Sequence, residues 1–270
     1  MNTIEANGIT IAYDDQGGDG GTPLVLIHGH PFDRSMWAPQ VGEFSRSGPR
    51  VIAPDLRGYG QSTVVGAKTP MATFARDIVA LLDHLDLGEV ILGGLSMGGQ
   101  IVMEFYRLFP QRIRGLVLAD TFAQAETAEG KRARNDLADR LLREGTRGYA
   151  DEVLPKMVAP YNIAAFPAVA EHVRNMMYNA PPEGAAAALR GRAERVDYTD
   201  LLAQIRVPTL VVVGRDDEFT PVVDAEFMRQ RIPNATLTII DNAAHLPNLE
   251  RPKEFNEVLY RFLRVVATAA

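Results

Sequence analysis

Residues 90–100 read VILGGLSMGGQ, and this stretch decides the fold. The apolar run 90–92 is typical of a buried strand, and it leads through a glycine-rich turn into the apolar, helix-like segment 101–108. The turn matches the pattern G-x-S-x-G, with Gly94, Ser96 and Gly98 in the fixed positions. A turn of this kind lifts a serine hydroxyl clear of a sheet, and only very small residues let strand and helix approach that closely. The stretch therefore predicts a nucleophilic serine on an α/β fold.

Two phosphate-binding patterns compete for the same glycines, and the spacing excludes both. A dinucleotide fingerprint would need glycine where Leu95 or Ser96 stands, depending on whether it began at Gly93 or Gly94. A Walker-type loop would need a lysine that does not occur here. The nucleophile is the favoured interpretation.

Short apolar runs recur on both sides of this stretch, and their lack of alternation is typical of strands buried on both faces. The helix-like stretch Met71–Leu85 lies between two of them, and the alternation of strands with helices predicts a doubly wound, mostly parallel sheet that binds ligands at the carboxyl ends of its strands. At the N-terminus, Asn7-Gly8 between two alternating runs predicts an antiparallel hairpin. The apolar runs lie at 24–27, 51–53, 90–92, 116–119, 210–213 and 237–240.

The interval 122–196 does not continue this alternation of strands and helices. It offers helix-like segments at 135–143 and 168–177 but no convincing buried strand, and five prolines punctuate it. We expect an α/β core formed by residues 1–121 and 197–270, with 122–196 inserted as a helical cap over a substrate pocket.

Composition limits the partners. The net charge of −6 comes from scattered residues with no basic stripe, so no nucleic-acid partner is expected. The absence of cysteine excludes disulfides, thiolate metal sites and a cysteine nucleophile, and it favours a reducing, cytoplasmic location. Residues 1–8 do not have the pattern of a secretion signal. The longest uncharged apolar stretch, 90–103, is shorter than the roughly 18 residues of a membrane helix, so no membrane partner is expected.

A serine nucleophile needs a base that is oriented by a carboxylate. Only His172 and His245 follow Ser96, and His245 is the predicted base because it lies in a loop that leaves the carboxyl end of a strand. For the acid, residues 216–218 offer three adjacent carboxylates after another strand, and their charge alone does not separate them. Asp120, which follows the strand 116–119, is a weaker candidate.

The segment 28–31, which reads HGHP, ends an early strand. The backbone N–H groups of His30 and Met97 are the predicted oxyanion hole, in which each donor is worth on the order of 3 kcal/mol. We expect a structural role for the His28 ring and a place in the pocket wall for the His30 ring. A metal site at these histidines is not expected, because the longer metal-binding motif reads His-x-His-x-Asp-His, whereas Asp33 lies one position late and is not directly followed by a histidine.

Two further expectations concern the loops. Asp55 and Arg57 are predicted to pair and to hold their loop together. Apolar residues beside the active-site loops are candidates for the acyl pocket, although any of them could equally belong to the core. These pocket candidates are Phe32, Trp37, Phe122, Phe219 and Leu246.

Together these motifs resemble the α/β-hydrolase superfamily over nearly the whole chain, and the sequence is similar to small bacterial carboxylesterases, enol-lactone hydrolases and cofactor-free haloperoxidases. The resemblance implies a catalytic domain without a cofactor. It also implies that Asp217 is the acid, because the spacing of this residue from Gly214 and Pro221 matches the acid position of the family. Serine at the elbow disfavours relatives that need a carboxylate nucleophile, and His30 departs from the apolar or small residue common there. The motifs are HG at 28–29, PDxRGxGxS at 54–62, GLSMGG at 94–99, GxxD at 214–217 and AH at 244–245.

The leading hypothesis is hydrolysis of a small-molecule carboxylic ester or lactone through an acyl-enzyme, with Ser96, His245 and Asp217 as the triad. Perhydrolysis of the haloperoxidase type and carbon–carbon bond hydrolysis would use the same triad. A ligand receptor on this scaffold is a further alternative. No sequence signal addresses the oligomeric state.

Overall fold

A computed structural model describes residues 1–18, 20–46 and 48–269. Eight strands form one sheet in the order β1-β2-β4-β3-β5-β6-β7-β8. All the apolar runs predicted as strands lie in this sheet. The strands are β1 (Asn2–Ala6), β2 (Ile9–Gln16), β3 (Leu24–Ile27), β4 (Val51–Pro54), β5 (Val90–Leu95), β6 (Ile113–Ala119), β7 (Thr209–Gly214) and β8 (Ala235–Ile240).

Strand direction matches the predicted mixture. β1 pairs antiparallel with β2, and β2 pairs antiparallel with β4, whereas every other pairing is parallel. Asn7 and Gly8 both have positive φ angles, 49° and 76°, as the two-residue turns that join right-twisted strands require. The predicted hairpin and the mostly parallel sheet are therefore confirmed.

Twelve α-helices occur in the described residues, together with short 3₁₀ turns at Arg34–Trp37 and Pro110–Arg112. The predicted helix at 71–85 is confirmed with its end one residue earlier. The helices are α1 (Ala38–Phe44), α2 (Met71–His84), α3 (Met97–Leu108), α4 (Ala128–Glu144), α5 (Arg147–Met157), α6 (Pro160–Ala165), α7 (Pro167–Asn179), α8 (Pro182–Ala193), α9 (Thr199–Leu202), α10 (Val222–Arg231), α11 (Pro247–Glu250) and α12 (Pro252–Thr268).

The sheet is buried on both faces because successive side chains of a strand point to opposite sides. In β3, Val25 and Ile27 pack with α2, α3 and α10, whereas Leu24 and Leu26 pack with α1 and α12 on the other face. This doubly covered sheet explains why its central strands read as continuous apolar runs. It also leaves the carboxyl ends of the strands as the edge where loops can build a site.

Helices α4 to α9 lie between β6 and β7. Of these, α8 packs closely on the loop that follows β4: a Cβ atom on Gly184 would overlap the backbone of Gly58, and one on Gly191 would overlap the carbonyl of Thr69. The N–H of Thr69 also donates to the carbonyl of Ala187 at 3.0 Å. Backbone contact of this kind, which the glycines of α8 permit, fixes α8 against the core.

The loop after β4 is held by partners other than the predicted one. Asp55 forms its ion pair with Arg34, while Arg57 donates to both carboxylate oxygens of Asp77 at 2.6 and 2.8 Å. The predicted pairing of Asp55 with Arg57 is therefore wrong, because each side chain turns to a different neighbouring element.

Across the described ranges 1–18, 20–46 and 48–269, the helices are all too short or too polar to cross a lipid bilayer.

Candidate active site

Ser96 occupies the sharp turn between β5 and α3. Its φ and ψ angles are 57° and −116°, a conformation that non-glycine residues rarely adopt and that is a mark of stored strain at functional turns. A Cβ atom on Gly94 would overlap the backbone of Gly98, and one on Gly98 would overlap the carbonyl of Ile27. The two glycines of the motif thus permit the close approach predicted from the sequence, and the turn exposes the serine at the carboxyl edge of the sheet.

His245 and Asp217 meet in loops that follow β8 and β7. The ring Nδ1 of His245 lies 2.8 Å from Oδ2 of Asp217, and both side chains are almost completely buried. Burial opposes ionisation of Asp217, but the charge and hydrogen bond of His245, together with hydrogen bonds from Thr220 and Phe219, lower its pKa. The carboxylate is therefore ionised and accepts the Nδ1 proton, which leaves Nε2 of His245 free for another partner.

Asp120, the weaker candidate for the acid, lies beside this pair. Oxygen and nitrogen atoms of Asp120, Asp217 and His245 all fall within 4.8 Å of one another, and Asp120 accepts the N–H of Gly214 at 2.8 Å. Burial and then the charge of Asp217 hold the pKa of Asp120 well above its usual range, so this carboxyl keeps its proton to a higher pH than an exposed aspartate does. Such a set does not suit a cation, because the Asp120 carboxyl resists ionisation and the other two groups are hydrogen-bonded to each other.

We expect Asp120→Asn to become progressively more stable than the wild type as the pH rises from 4 towards 7. In the unfolded chain Asp120 ionises near its ordinary pKa of 3.8, whereas the folded protein retains the proton. The free energy of unfolding of the wild type therefore falls with pH by up to about 1.4 kcal/mol per pH unit through this residue, and asparagine removes that dependence. Urea unfolding at several pH values measures it.

Asp136→Asn, which removes a carboxylate at an exposed position on α4, is the matched control, and we expect its effect on the free energy of unfolding to be smaller than that of Asp120→Asn at pH 7. A stability difference between Asp120→Asn and the wild type that did not change with pH would contradict the assignment of a protonated Asp120.

His28 and His30 differ in the hydrogen bonds that their rings make. The N–H of Leu56 donates to Nε2 of His28 at 2.9 Å, and Nδ1 of His28 donates to the carbonyl of Gly29, so this ring braces two loops as predicted. Nδ1 of His30 lies 2.7 Å from the hydroxyl of Tyr59, and Nε2 of His30 is buried without a hydrogen-bond partner in the described residues. Among the described residues, the backbone N–H groups of His30 and Met97 donate to no backbone carbonyl, so both are available to an oxyanion.

A cavity of about 340 Å³ opens above Ser96, at the carboxyl edge of the sheet. Ser96, His30 and His245 contribute to it from the core, and most of its wall comes from the helices between β6 and β7. Its lining residues are His30, Ser96, Phe122, Glu126, Gly130, Ala133, Arg134, Leu137, Tyr149, Val153, Met157, Leu189, Arg192, Phe219, Thr220 and His245.

Two of the five predicted pocket residues, Phe122 and Phe219, line this cavity. The ring of Phe219 packs edge-on against His245, with centroids 5.1 Å apart. In contrast, the structure places Phe32, Trp37 and Leu246 in the core and not in the cavity wall. All three are fully buried beneath the active-site loops, because their side chains point back towards the sheet and α12.

The polar part of the wall was not predicted from the sequence. It consists of Glu126, Arg134, Tyr149 and Arg192, which lie within residues 122–196, where no motif marks them. The one available signal is the spacing on α4, since residues 130, 133, 134 and 137 share a helical face. That spacing identifies a face, but the sequence does not say what the face packs against.

Comparisons with known proteins agree with this architecture. A family model described as the alpha/beta hydrolase fold matches residues 22–252. The chain is 29% identical over 265 residues to 3-oxoadipate enol-lactonase 1 of Acinetobacter baylyi, with 96% of this chain and 95% of that protein covered.

Solved structures extend the comparison. A thermophilic esterase from Thermogutta terrifontis, determined with malate bound, is 40% identical with a TM-score of 0.94 over 98% of each chain. A bromoperoxidase from Bacillus anthracis is 27% identical with a TM-score of 0.84, covering 95% of this chain and 96% of that one. The resemblance inferred from the motifs is thus confirmed over nearly the full length.

Proposed function

We propose that this chain, which belongs to the α/β-hydrolase fold family, hydrolyses carboxylic esters or lactones through an acyl-enzyme on Ser96. One observation carries the proposal: Ser96, on a strained turn, opens on the same cavity as His245, whose ring is held by the buried carboxylate of Asp217. The similarity to an esterase and to an enol-lactonase supports the same class of reaction.

In the first half-reaction, Oγ of Ser96 attacks the substrate carbonyl carbon while Nε2 of His245 takes the hydroxyl proton. The negative charge that develops on the carbonyl oxygen is accepted by the backbone N–H groups of His30 and Met97. Collapse of the tetrahedral intermediate breaks the bond to the leaving oxygen, which receives the proton from His245. In a lactone, the released hydroxyl remains attached to the acyl group.

In the second half-reaction, water attacks the acyl carbon while Nε2 of His245 takes its proton, and collapse of the second tetrahedral intermediate breaks the bond to Oγ of Ser96, which receives that proton as the carboxylic acid leaves. Asp217 stabilises the imidazolium that forms in both steps and fixes the tautomer that presents Nε2 to Ser96. Because the pKa of Asp217 is lowered and that of Asp120 is raised, the two neighbouring carboxyls differ: Asp217 is the one that ionises readily and orients His245, whereas Asp120 resists ionisation.

We further propose that residues 122–196 act as the cap of this active site. Most of the cavity wall comes from that segment, and a volume of about 340 Å³ suits a small ester or lactone. A cytoplasmic location stays a prediction that rests on the absence of cysteine.

A serine-directed organophosphate tests the proposal. Diethyl p-nitrophenyl phosphate should release one equivalent of p-nitrophenol and leave a diethyl phosphoryl group on the peptide that contains Ser96, with parallel loss of hydrolysis of p-nitrophenyl butyrate. Peptide mapping by mass spectrometry locates the modification. Esterase activity that persists without modification of Ser96, or that is lost through modification of a different serine, would overturn the proposal.

A further inference from the structure

Three arginines surround a single carboxylate at one end of the active-site cavity. Arg134 and Arg195 both bind Oε1 of Glu126, each at 2.5 Å. Arg192 is the third, and among the described residues no carboxylate oxygen lies within ion-pair distance of it. Asp197, another carboxylate near this cluster, accepts hydrogen bonds from the backbone N–H groups of Ala125 and Thr199. The cluster therefore carries an excess of positive charge.

Arg192 is unusual because it is both buried and without an anion. Only 6% of the residue is exposed, and its Nε donates to Oε1 of Gln100 at 3.1 Å. Burial, and then repulsion by Arg134 and Arg195, lower its pKa well below the ordinary value, yet a guanidinium remains protonated in proteins. A buried charge without a counter-ion destabilises the folded protein, and the attraction of an anion in contact with it would offset the cost of burial and the repulsion by the other arginines.

The position of Arg192 connects this charge to the reaction. Arg192 lines the same cavity as Ser96 and His245, so an anion bound to it would share the cavity with the scissile bond. Helix α8, which carries Arg192, is fixed to the core by the close approaches at Gly184 and Gly191. Together with the hydrogen bond from Nε to Gln100, this holds the guanidinium in place before a substrate arrives, which reduces the entropy lost on binding.

The remaining groups at this end of the cavity carry no positive charge. Burial, followed by Arg192 and Arg134, lowers the pKa of His30 well below its ordinary value, so the ring is neutral. Apolar side chains, among them Leu137 and Leu189, line the same cavity. Because Arg192 is almost fully buried, an ion pair with it would form in a poorly solvated place, where it is strengthened.

We propose that Arg192, with Arg134 beside it, binds a carboxylate of the substrate, so that the preferred substrate is an ester or lactone that carries a free carboxylate besides the bond to be cleaved. The planar guanidinium suits the two oxygens of a carboxylate. This inference rests on the proposed hydrolase function and deepens it by naming the substrate class and the residue that selects it.

Matched substrate pairs test the inference. Each pair consists of the monoethyl ester of a linear dicarboxylic acid, from malonic to adipic, and the corresponding ester in which the free carboxylate is replaced by a primary amide. Rates followed in a pH-stat should give a kcat/KM that is at least about tenfold higher for the acid in one or more pairs. Arg192→Gln should reduce this ratio to near one, and Arg192→Lys should retain part of it.

Because the readout is a ratio, partial loss of folded protein in a variant cancels out. Arg190→Gln is the matched control, since Arg190 lies on the same helix, pairs with Asp139 and does not line the cavity. It should leave the ratio unchanged. Absence of any preference for the acid in the wild type, or a preference that survives Arg192→Gln, would overturn the inference.

Binding without turnover separates this inference from the hydrolase proposal. In Ser96→Ala, linear dicarboxylates from malonate to adipate should raise the Tm, and the additional change Arg192→Gln should abolish that increase. Ester hydrolysis without dicarboxylate binding would refute the inference alone, and dicarboxylate binding in a protein that hydrolyses no ester would refute the hydrolase proposal alone. A larger increase in Tm with inorganic phosphate than with any dicarboxylate would contradict the assignment of a carboxylate.

Discussion

Ser96→Ala is expected to lower kcat for p-nitrophenyl butyrate by about 10⁵- to 10⁶-fold, because the substitution removes the hydroxyl that forms the acyl-enzyme. The substitution removes only the hydroxyl group. The positive φ angle of the turn is imposed by the packing of Gly94 and Gly98, which the substitution leaves in place. Steady-state release of p-nitrophenol measures the effect, and the Tm of the variant verifies that it is folded.

Ser45→Ala is the control for this experiment, since Ser45 follows α1 and lies outside the cavity. It should change kcat by less than about twofold, as is usual for a substitution remote from the site. If Ser96→Ala kept more than a tenth of the wild-type kcat, Ser96 would not be the nucleophile.

Asp217→Asn is expected to lower kcat by about 10⁴-fold. An amide in place of the carboxylate can present an N–H to Nδ1 of His245, which stabilises the tautomer that has its proton on Nε2 and therefore cannot accept the proton of Ser96. The loss of negative charge also removes the stabilisation of the imidazolium. Steady-state kinetics with p-nitrophenyl butyrate should place the loss in kcat, with a much smaller change in KM.

Asp216→Asn provides a closely matched control, because Asp216 is adjacent in sequence but exposed, with its carboxylate bound to the hydroxyl of Tyr161. We expect kcat of this variant to stay within a few-fold of the wild type. A larger loss in Asp216→Asn or in Asp120→Asn than in Asp217→Asn would assign the acid to a different carboxylate.

The architecture could be predicted from sequence because its signals are local. The strands are continuous apolar runs between turn residues, the hairpin is encoded by Asn7 and Gly8, and the elbow is encoded by glycines two residues on either side of Ser96. The resemblance to a known family then separated Asp217 from its acidic neighbours, which charge alone could not do. Each of these inferences needs information only from neighbouring residues or from a motif.

The predictions that were wrong or missing depend on the direction in which a side chain points and on contacts between residues that are distant in sequence. Asp55 and Arg57 are two residues apart in the sequence, yet they pair with Arg34 and Asp77 on other elements. Trp37 lies beside an active-site loop but is directed into the core, against Phe255. Arg192 gave no signal, because helix α8 is buried over most of its surface and an arginine in it resembles any other helical arginine.

The fixed position of α8 has a consequence for how this enzyme can acquire new substrates. Its contacts at Gly184 and Gly191 are made through backbone atoms, so almost any larger residue there forces the helix away from the core. The facing wall from α4 and α5 is made of side chains such as Leu137, Val153 and Met157, which can be exchanged for others of different size. Mutant libraries should therefore vary α4 and α5 to change the size of the acyl group, and keep α8 constant so that the charge which orients the substrate stays in register with Ser96.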